Sequence, residues 1–446
     1  MNKYVIKNAA VVNENRTFIA TVFILDEKIE KIVEGDAHNT SGYQVIDAEG
    51  KYLLPGVIDT HVHFREPGLT HKGDMASESR AAVAGGVTSI VDMPNTIPQT
   101  AFIQHFNEKC AIAAQNCLTN YSFYVGATNN NLKELLTLDP AQIFGIKVFM
   151  GSSTGNMLVD KRDILEEIFK NSSLPIVTHC EDEAIIKRNS EQIKKEYGEN
   201  PSFSVHPLIR SSEACYVSSH KAVELAEKYG TKLHIAHLST EKELSLLQKD
   251  IPLANKKITA EACVHYLWFS DQDYNRLGAF IKCNPAVKSD KNRQALRNAV
   301  NDEIIDMIVT DHAPHTLEEK QKSYFSAPGG IPLIQHSLTA MLELANRKIF
   351  TLEKIVRQMC HNPAVIFNIE KRGFIREGYF ADLTLLELSR PWNVNNDNIL
   401  YKCKWSPFSG ETFNSKILYT FVNGNLVLEN GKINDKIGSK QLTFVR

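Results

Sequence analysis

The sequence predicts an α/β protein: a closed (β/α)8 barrel of the TIM type carrying a small β-sandwich domain formed by both chain ends. Three observations lead there. Eight apolar runs of strand length alternate with helical patterns through the middle of the chain. Both ends are instead rich in short strands and turn residues. The length, 446 residues, exceeds what one small core needs and suits one large domain with a smaller one.

In chain order, residues 4–12, 21–25 and 28–33 are β-rich with turn residues between them. The middle runs follow at 57–63, 87–94, 121–128, 143–150, 175–181, 232–239, 257–265 and 305–313. Near-continuous apolar strands separated by helices mean a parallel sheet covered on both faces, and eight such units mean closure into a barrel. Residues 381–388 and 416–422 return to strand character, and Asn423-Gly424 reads as a hairpin turn between Phe421-Val422 and Leu426-Val427. The expected division is a composite β domain from 1–53 and 368–446 around a barrel over 54–367, since ends that meet in space build such a domain easily.

Composition narrows the function classes. The chain is 43% hydrophobic and 23% charged with a formal net charge of −2, ordinary for a soluble globular protein and unlike a binder of nucleic acid or anionic membrane. No apolar stretch has transmembrane length, and the N-terminus lacks the apolar core of a secretion signal. The eight cysteines, at 110, 117, 180, 215, 263, 283, 360 and 403, contain no C-x-x-C pair, which fits reduced thiols and a cytoplasmic protein.

The chemistry-bearing residues fall at the strand ends, where a barrel of this kind builds its active site. The first run ends in Asp59-Thr60-His61-Val62-His63. His61 and His63 are two apart on a strand and share one face. His179 ends the fifth run, His237 the sixth and Asp311 the eighth. Any one of these alone could be incidental, but five at the ends of the first, fifth, sixth and eighth runs converge on one rim as metal ligands.

Lys147, inside Gly145-Ile146-Lys147-Val148-Phe149-Met150, is an ammonium in an apolar strand and needs a reason. One is a buried salt bridge. The other is chemical: burial and nearby cations favour the neutral amine, which can add carbon dioxide to give a carbamate. Its two oxygens would bridge two divalent ions and supply charge that four imidazoles and one carboxylate lack. Imidazole with carboxylate suits zinc, so the expected cofactor is two zinc ions per chain with Lys147 carboxylated.

These residues sit in recognisable surroundings. The stretch Pro55-Gly56-Val57-Ile58-Asp59-Thr60-His61-Val62-His63-Phe64-Arg65-Glu66-Pro67-Gly68, the stretch Thr310-Asp311-His312-Ala313-Pro314-His315 and the pattern Gly373-x-Ile375-x-x-Gly378-x-x-Ala381-Asp382 resemble the amidohydrolase superfamily, and within it the dihydroorotases, over nearly the whole chain. The resemblance implies that His61, His63 and Asp311 hold one metal and His179 and His237 the other. Lys147 would be the carboxylated bridge, although some members use an aspartate, and Asp160 is the nearest one downstream.

The resemblance also implies that Arg65, Asn95 and His315 grip a substrate carboxylate, that Asn284 binds the ring and that Asp311 shuttles the proton. Around Asn284 the family usually runs Asn-Pro-Pro-Leu-Arg, whereas this chain has Asn-Pro-Ala-Val-Lys. The implied reaction is hydrolysis of dihydroorotate to carbamoyl aspartate and its reverse, in pyrimidine synthesis, by a homodimer. Allantoinase, hydantoinase and a relative that kept the barrel but lost its metals are the competing readings. Arg65 discriminates among the enzymes, because a neutral cyclic diamide has no use for a guanidinium shaped to pair with a carboxylate. The glycine-rich segment 323–331 after the eighth run is either a lid over the site or an ordinary connecting loop.

Overall fold

The structure, a computed structural model, describes residues 2–35, 37, 39–151, 157–159, 161–436 and 438–446. Its centre is the expected parallel barrel. The first barrel strand, Val57–Val62, pairs with Val87–Asp92, which pairs with Asn120–Phe123. The third strand breaks at Tyr124 and resumes as Val125–Gly126 beside Ile146–Phe149. Ile176–His179, Leu233–Ile235, Ile258–Cys263 and Met307–Val309 follow in parallel register. A parallel bridge between Val62 and His312 closes the ring. Every residue of the first two strands is buried, as strands sandwiched between a filled interior and an outer layer of helices must be.

The barrel strands are shorter than their apolar runs, the sixth and eighth most of all. The sixth stops at Ile235 and the eighth at Val309, where the runs extend to 239 and 313. The cause is backbone geometry. His237 (φ 41°) and Asp311 (φ 50°) lie in the left-handed region, which cannot continue a ladder. The hydrophobic pattern continues past the point where the chain turns.

Helix ends follow their local chemistry. Asp74 caps Met75–Ala84, accepting from the Ser77 N–H at 2.7 Å, and Asp182 caps Glu183–Tyr197 through Ile185 at 2.9 Å. Ser212–Tyr229 ends at Gly230 in the left-handed conformation that residue type permits. No helix among the described residues is long and apolar enough to cross a membrane. The eight cysteines are free thiols.

Both chain ends join in the β-sandwich domain. Its sheet, nine-stranded among the described residues, runs from Lys432–Ile433 through Asn425–Glu429, Lys416–Val422 and Leu383–Glu387 to Tyr52–Pro55, Lys3–Asn13, Arg16–Leu25 and Lys28–Glu34. Gln44–Asp47 lies beside Lys3–Asn13. Tyr52–Pro55 is the seam, pairing with the first strand on one side and with Leu383–Glu387 on the other. Ile6, Val11, Val22, Ile24, Leu53, Leu385 and Phe421 form its core. Asn423 (φ 47°) and Gly424 (φ 69°) make the two-residue turn between Val422 and Asn425, with the positive φ at both positions that twisted hairpins require.

A buried polar cluster fastens this sheet to the barrel. Asp382 pairs with Arg372 and accepts from the Asn423 N–H at 2.7 Å and from the amide of Asn120, at the start of the third barrel strand, at 3.2 Å. Arg372 also donates to Asn423 Oδ1 at 2.8 Å. Removing one member of such a pair leaves an uncompensated buried charge. Arg372→Met is therefore expected to cost about 3–5 kcal/mol in denaturant unfolding, more than Asp382→Asn combined with Arg372→Met.

Candidate metal centre and substrate pocket

The C-terminal ends of the barrel strands open on a cavity of about 610 Å³, the size of a small-molecule site. All ten sequence-predicted site residues line it: His61, His63, Arg65, Asn95, Lys147, His179, His237, Asn284, Asp311 and His315. Asp160 lies outside the described residues.

The histidines form two adjoining groups. His61 Nε2 and His63 Nε2 lie 3.2 and 3.0 Å from Asp311 Oδ1, and ligand atoms of these three residues fall within 4.8 Å of one another. They could hold a metal ion. His179 Nδ1 lies 2.8 Å from His237 Nε2, and the His237 ring is 5.3 Å from that of His61. Lys147 sits beside both groups, 1% exposed, with Nζ lacking any hydrogen-bond partner among the described residues. Burial lowers its pKa to about 8, against the opposing charges of Glu261 and Asp311. A buried amine of depressed basicity beside imidazole and carboxylate donors, with the Phe149 ring 5.5 Å from Nζ, has the chemistry to be carboxylated and to join a metal site.

Other side chains aim the imidazoles. Glu261 Oε1 lies 2.5 Å from His61 Nδ1, so Nδ1 carries the proton and Nε2 offers its lone pair to the cavity. The same carboxylate accepts from the His237 backbone N–H at 3.1 Å and faces His234 Nε2 at 3.1 Å. Asn95 Oδ1 does the same for His63, 2.8 Å from Nδ1, which leaves the Asn95 amide to face the pocket. Glu181, paired with Arg210, holds His179 Nε2 at 3.1 Å. Glu261 and Glu181 escaped the sequence reading. Glu261 had a signal, since a carboxylate within the apolar strand Ile258–Cys263 is the same oddity that singled out Lys147.

Arg65 (φ 69°) leaves the first strand in a left-handed conformation and donates through Nε to Pro314 O at 3.0 Å. Its Nη2 lies 3.1 Å from His315 Nε2. Asn284 Oδ1 is buried without a hydrogen-bond partner among the described residues, and Gly329 packs so close that a Cβ there would come within 2.9 Å of the Asn284 amide. The 323–331 segment is pinned from below. Lys282 Nζ donates to Tyr324 O and Ala327 O at 2.6 Å each, and Lys320 Nζ donates to Gly330 O at 2.9 Å.

This barrel and site define a hydrolase, and residues 52–427 match the amidohydrolase family. The chain belongs to that family. Its curated relatives include dihydroorotases, among them that of Methanosphaera stadtmanae, 31% identical over 434 residues, 97% of this chain and 98% of the relative. An allantoinase of Desulfitobacterium hafniense is also 31% identical, over 442 residues and 96% of each chain. Among solved structures, the L-hydantoinase (dihydropyrimidinase) from Arthrobacter aurescens superposes with a TM-score of 0.93 at 28% identity, covering 99% of this chain and all of that one.

Carboxylates that orient metal-binding imidazoles are worth about 10–100-fold in metal affinity. Glu261→Ala is accordingly expected to weaken metal retention by about that factor, read by elemental analysis after dialysis against a graded chelator. Unchanged retention would show that His61 needs no such orienting partner.

Proposed function

We propose that the protein is a dihydroorotase, catalysing the reversible hydrolysis of (S)-dihydroorotate to N-carbamoyl-L-aspartate for pyrimidine synthesis, as a cytoplasmic homodimer. The observation that carries this is the anion-seeking corner of the pocket. Arg65 and His315 converge there, with Asn95 across the cavity and the donor-rich Lys72 behind His315. A ring bearing a carboxylate satisfies that corner. Allantoin and hydantoin, which carry none, would leave a buried guanidinium unpaired. Sequence similarity leans the same way, since dihydroorotases reach 34% identity over 97% of this chain against 31% over 96% for an allantoinase, and Arg65 supplies the physical discrimination.

Two zinc ions, one held by His61, His63 and Asp311 and one by His179 and His237, with carboxylated Lys147 between them, would supply a water ionised near neutral pH and positive charge beside the ring carbonyl. The protein's own groups do the rest. Arg65, His315 and the Asn95 amide seat the substrate carboxylate. Asn284 Oδ1, buried and unpartnered among the described residues, accepts from a ring N–H. Asp311, beside both His61 and His63, takes the proton of the attacking water and delivers it to the leaving ring nitrogen. Ring closure runs the same path backwards and consumes a proton, so low pH favours the cyclic acid.

Purified protein is expected to contain two zinc ions per chain, and a metal-free preparation would favour a non-catalytic relative. Lys147→Ala should lose both metal and activity, with slight recovery when short carboxylic acids are added. Plain ammonium density at Lys147 with both metals present would refute the carbamate. Arg65→Met should keep its metals yet lose about 2–5 kcal/mol of transition-state binding, measured as kcat/KM on dihydroorotate. A wild type that prefers hydantoin or allantoin would transfer the assignment to those enzymes.

A further inference from the structure

Lys72 lines the pocket but belongs neither to the metal centre nor to the residues that would touch the substrate. It follows the turn after Arg65, where the Leu69 N–H bonds Arg65 O at 3.0 Å and the Lys72 N–H bonds Leu69 O at 3.0 Å. Its Nζ lies 3.1 Å from His315 Nδ1 and 2.9 Å from Glu319 Oε1.

These contacts weigh the two tautomers of His315: Nε2–H satisfies Lys72 and Gly329 O and opposes Arg65, whereas Nδ1–H satisfies Arg65 alone and opposes Lys72. An ammonium has donors only, so the tautomer whose Nδ1 accepts from it carries the ring proton on Nε2. There it meets an acceptor, Gly329 O, at 3.1 Å. The opposite tautomer would press an Nδ1–H against the ammonium. Its nearest alternative acceptor, Glu319 Oε2, is 3.5 Å away and already takes the Thr316 N–H at 3.0 Å in the cap of the next helix. Burial, with the Arg65 charge beside it, holds the His315 pKa down at about 3, so the ring is neutral and its tautomer matters.

With Nε2 protonated, His315 and Arg65 Nη2 present two donors to each other at 3.1 Å. Neither can accept from the other. An anionic oxygen that receives from both relieves this opposition, and a neutral ring does not.

We propose that Lys72 is a specificity-determining positioning residue, fixing His315 in its Nε2–H tautomer so that His315 and Arg65 form a two-donor seat for the carboxylate of an anionic cyclic amide. The inference rests on the dihydroorotase reading and deepens it. Without Lys72 the ring turns to the other tautomer, accepts from Arg65 and closes the seat from within.

The test has two independent readouts. In nitrogen-15 histidine spectra of the holoenzyme, with His315 assigned by the signal lost in His315→Asn, the wild type is expected to show a protonated Nε2 and Lys72→Met a protonated Nδ1. In kinetics, Lys72→Met should lower the ratio of kcat/KM for dihydroorotate over dihydrouracil about 10–100-fold, mostly through KM, with Lys72→Arg recovering part of it. A wild-type Nδ1–H tautomer, or an unchanged ratio in a folded Lys72→Met, overturns the proposal. If Lys72→Met does not fold, the wild-type tautomer and the Lys72→Arg ratio decide. A wild type inactive on dihydroorotate would sink the functional reading instead, and the spectra would still decide the tautomer.

Discussion

The site depends on the closure of the barrel between its first and eighth strands. The His63 N–H donates to His312 O at 2.7 Å, and Val62 bridges His312. Asp59 reinforces the seam, accepting from the Thr310 hydroxyl at 2.6 Å and from the backbone N–H groups of His61 and Thr310. The His312 ring is locked from both sides, with Nε2 at 2.9 Å from Glu78 and Nδ1 accepting from the Leu333 N–H at 3.0 Å. Residues some 250 positions apart thus meet at hydrogen-bond distance, and His61, His63 and Asp311 become one group.

Closure places His61 and His63 on one face at the end of the first strand, but Arg65, His237 and Asp311 lie where the chain leaves its strands. What turns them toward a common point is backbone held in an unfavourable region. Arg65, His237 and Asp311 all have positive φ without being glycine. Such conformations cost about 1–3 kcal/mol each and persist only where the surroundings enforce them. Here the enforcement is visible: the Glu261 carboxylate receives the His237 N–H, and Pro314 O receives Arg65. Rigid strands supply position, and strained strand ends supply direction.

Electrostatics then makes the site reactive. Glu261, fully buried, is held well below the usual carboxylate range because the cost of burial is outweighed by His61 and His234. Asp59 is instead pushed up to about 7, because burial outweighs its hydrogen bonds from Thr310 and His61. Lys147 is neutral-prone for the same reason of burial. One dry rim therefore holds a carboxylate that stays charged, another that gives up its charge readily and an amine that does the same, separated only by their partners. Beside the pocket Arg65 and Lys72, with Glu319 against Lys72, leave a small excess of positive charge.

The sequence by itself determined the architecture and the cast. Period and length of the apolar runs encode eight buried parallel strands, because a strand covered on both faces has no polar side to show. Ionisable residues within or at the ends of those runs stand out, because burial without a purpose is costly. The six found this way, and the four substrate residues that the family resemblance implied, line one cavity. The same reasoning reached Lys147 and passed over Glu261, whose role appears only when a strand 200 residues away brings His61 to it. Tertiary structure alone decided where the sixth and eighth strands end, since a positive φ leaves no trace in hydrophobicity. It also decided which ring nitrogens carry protons and where Lys72 points. Those depend on contacts between residues far apart in the chain, and no local pattern records them.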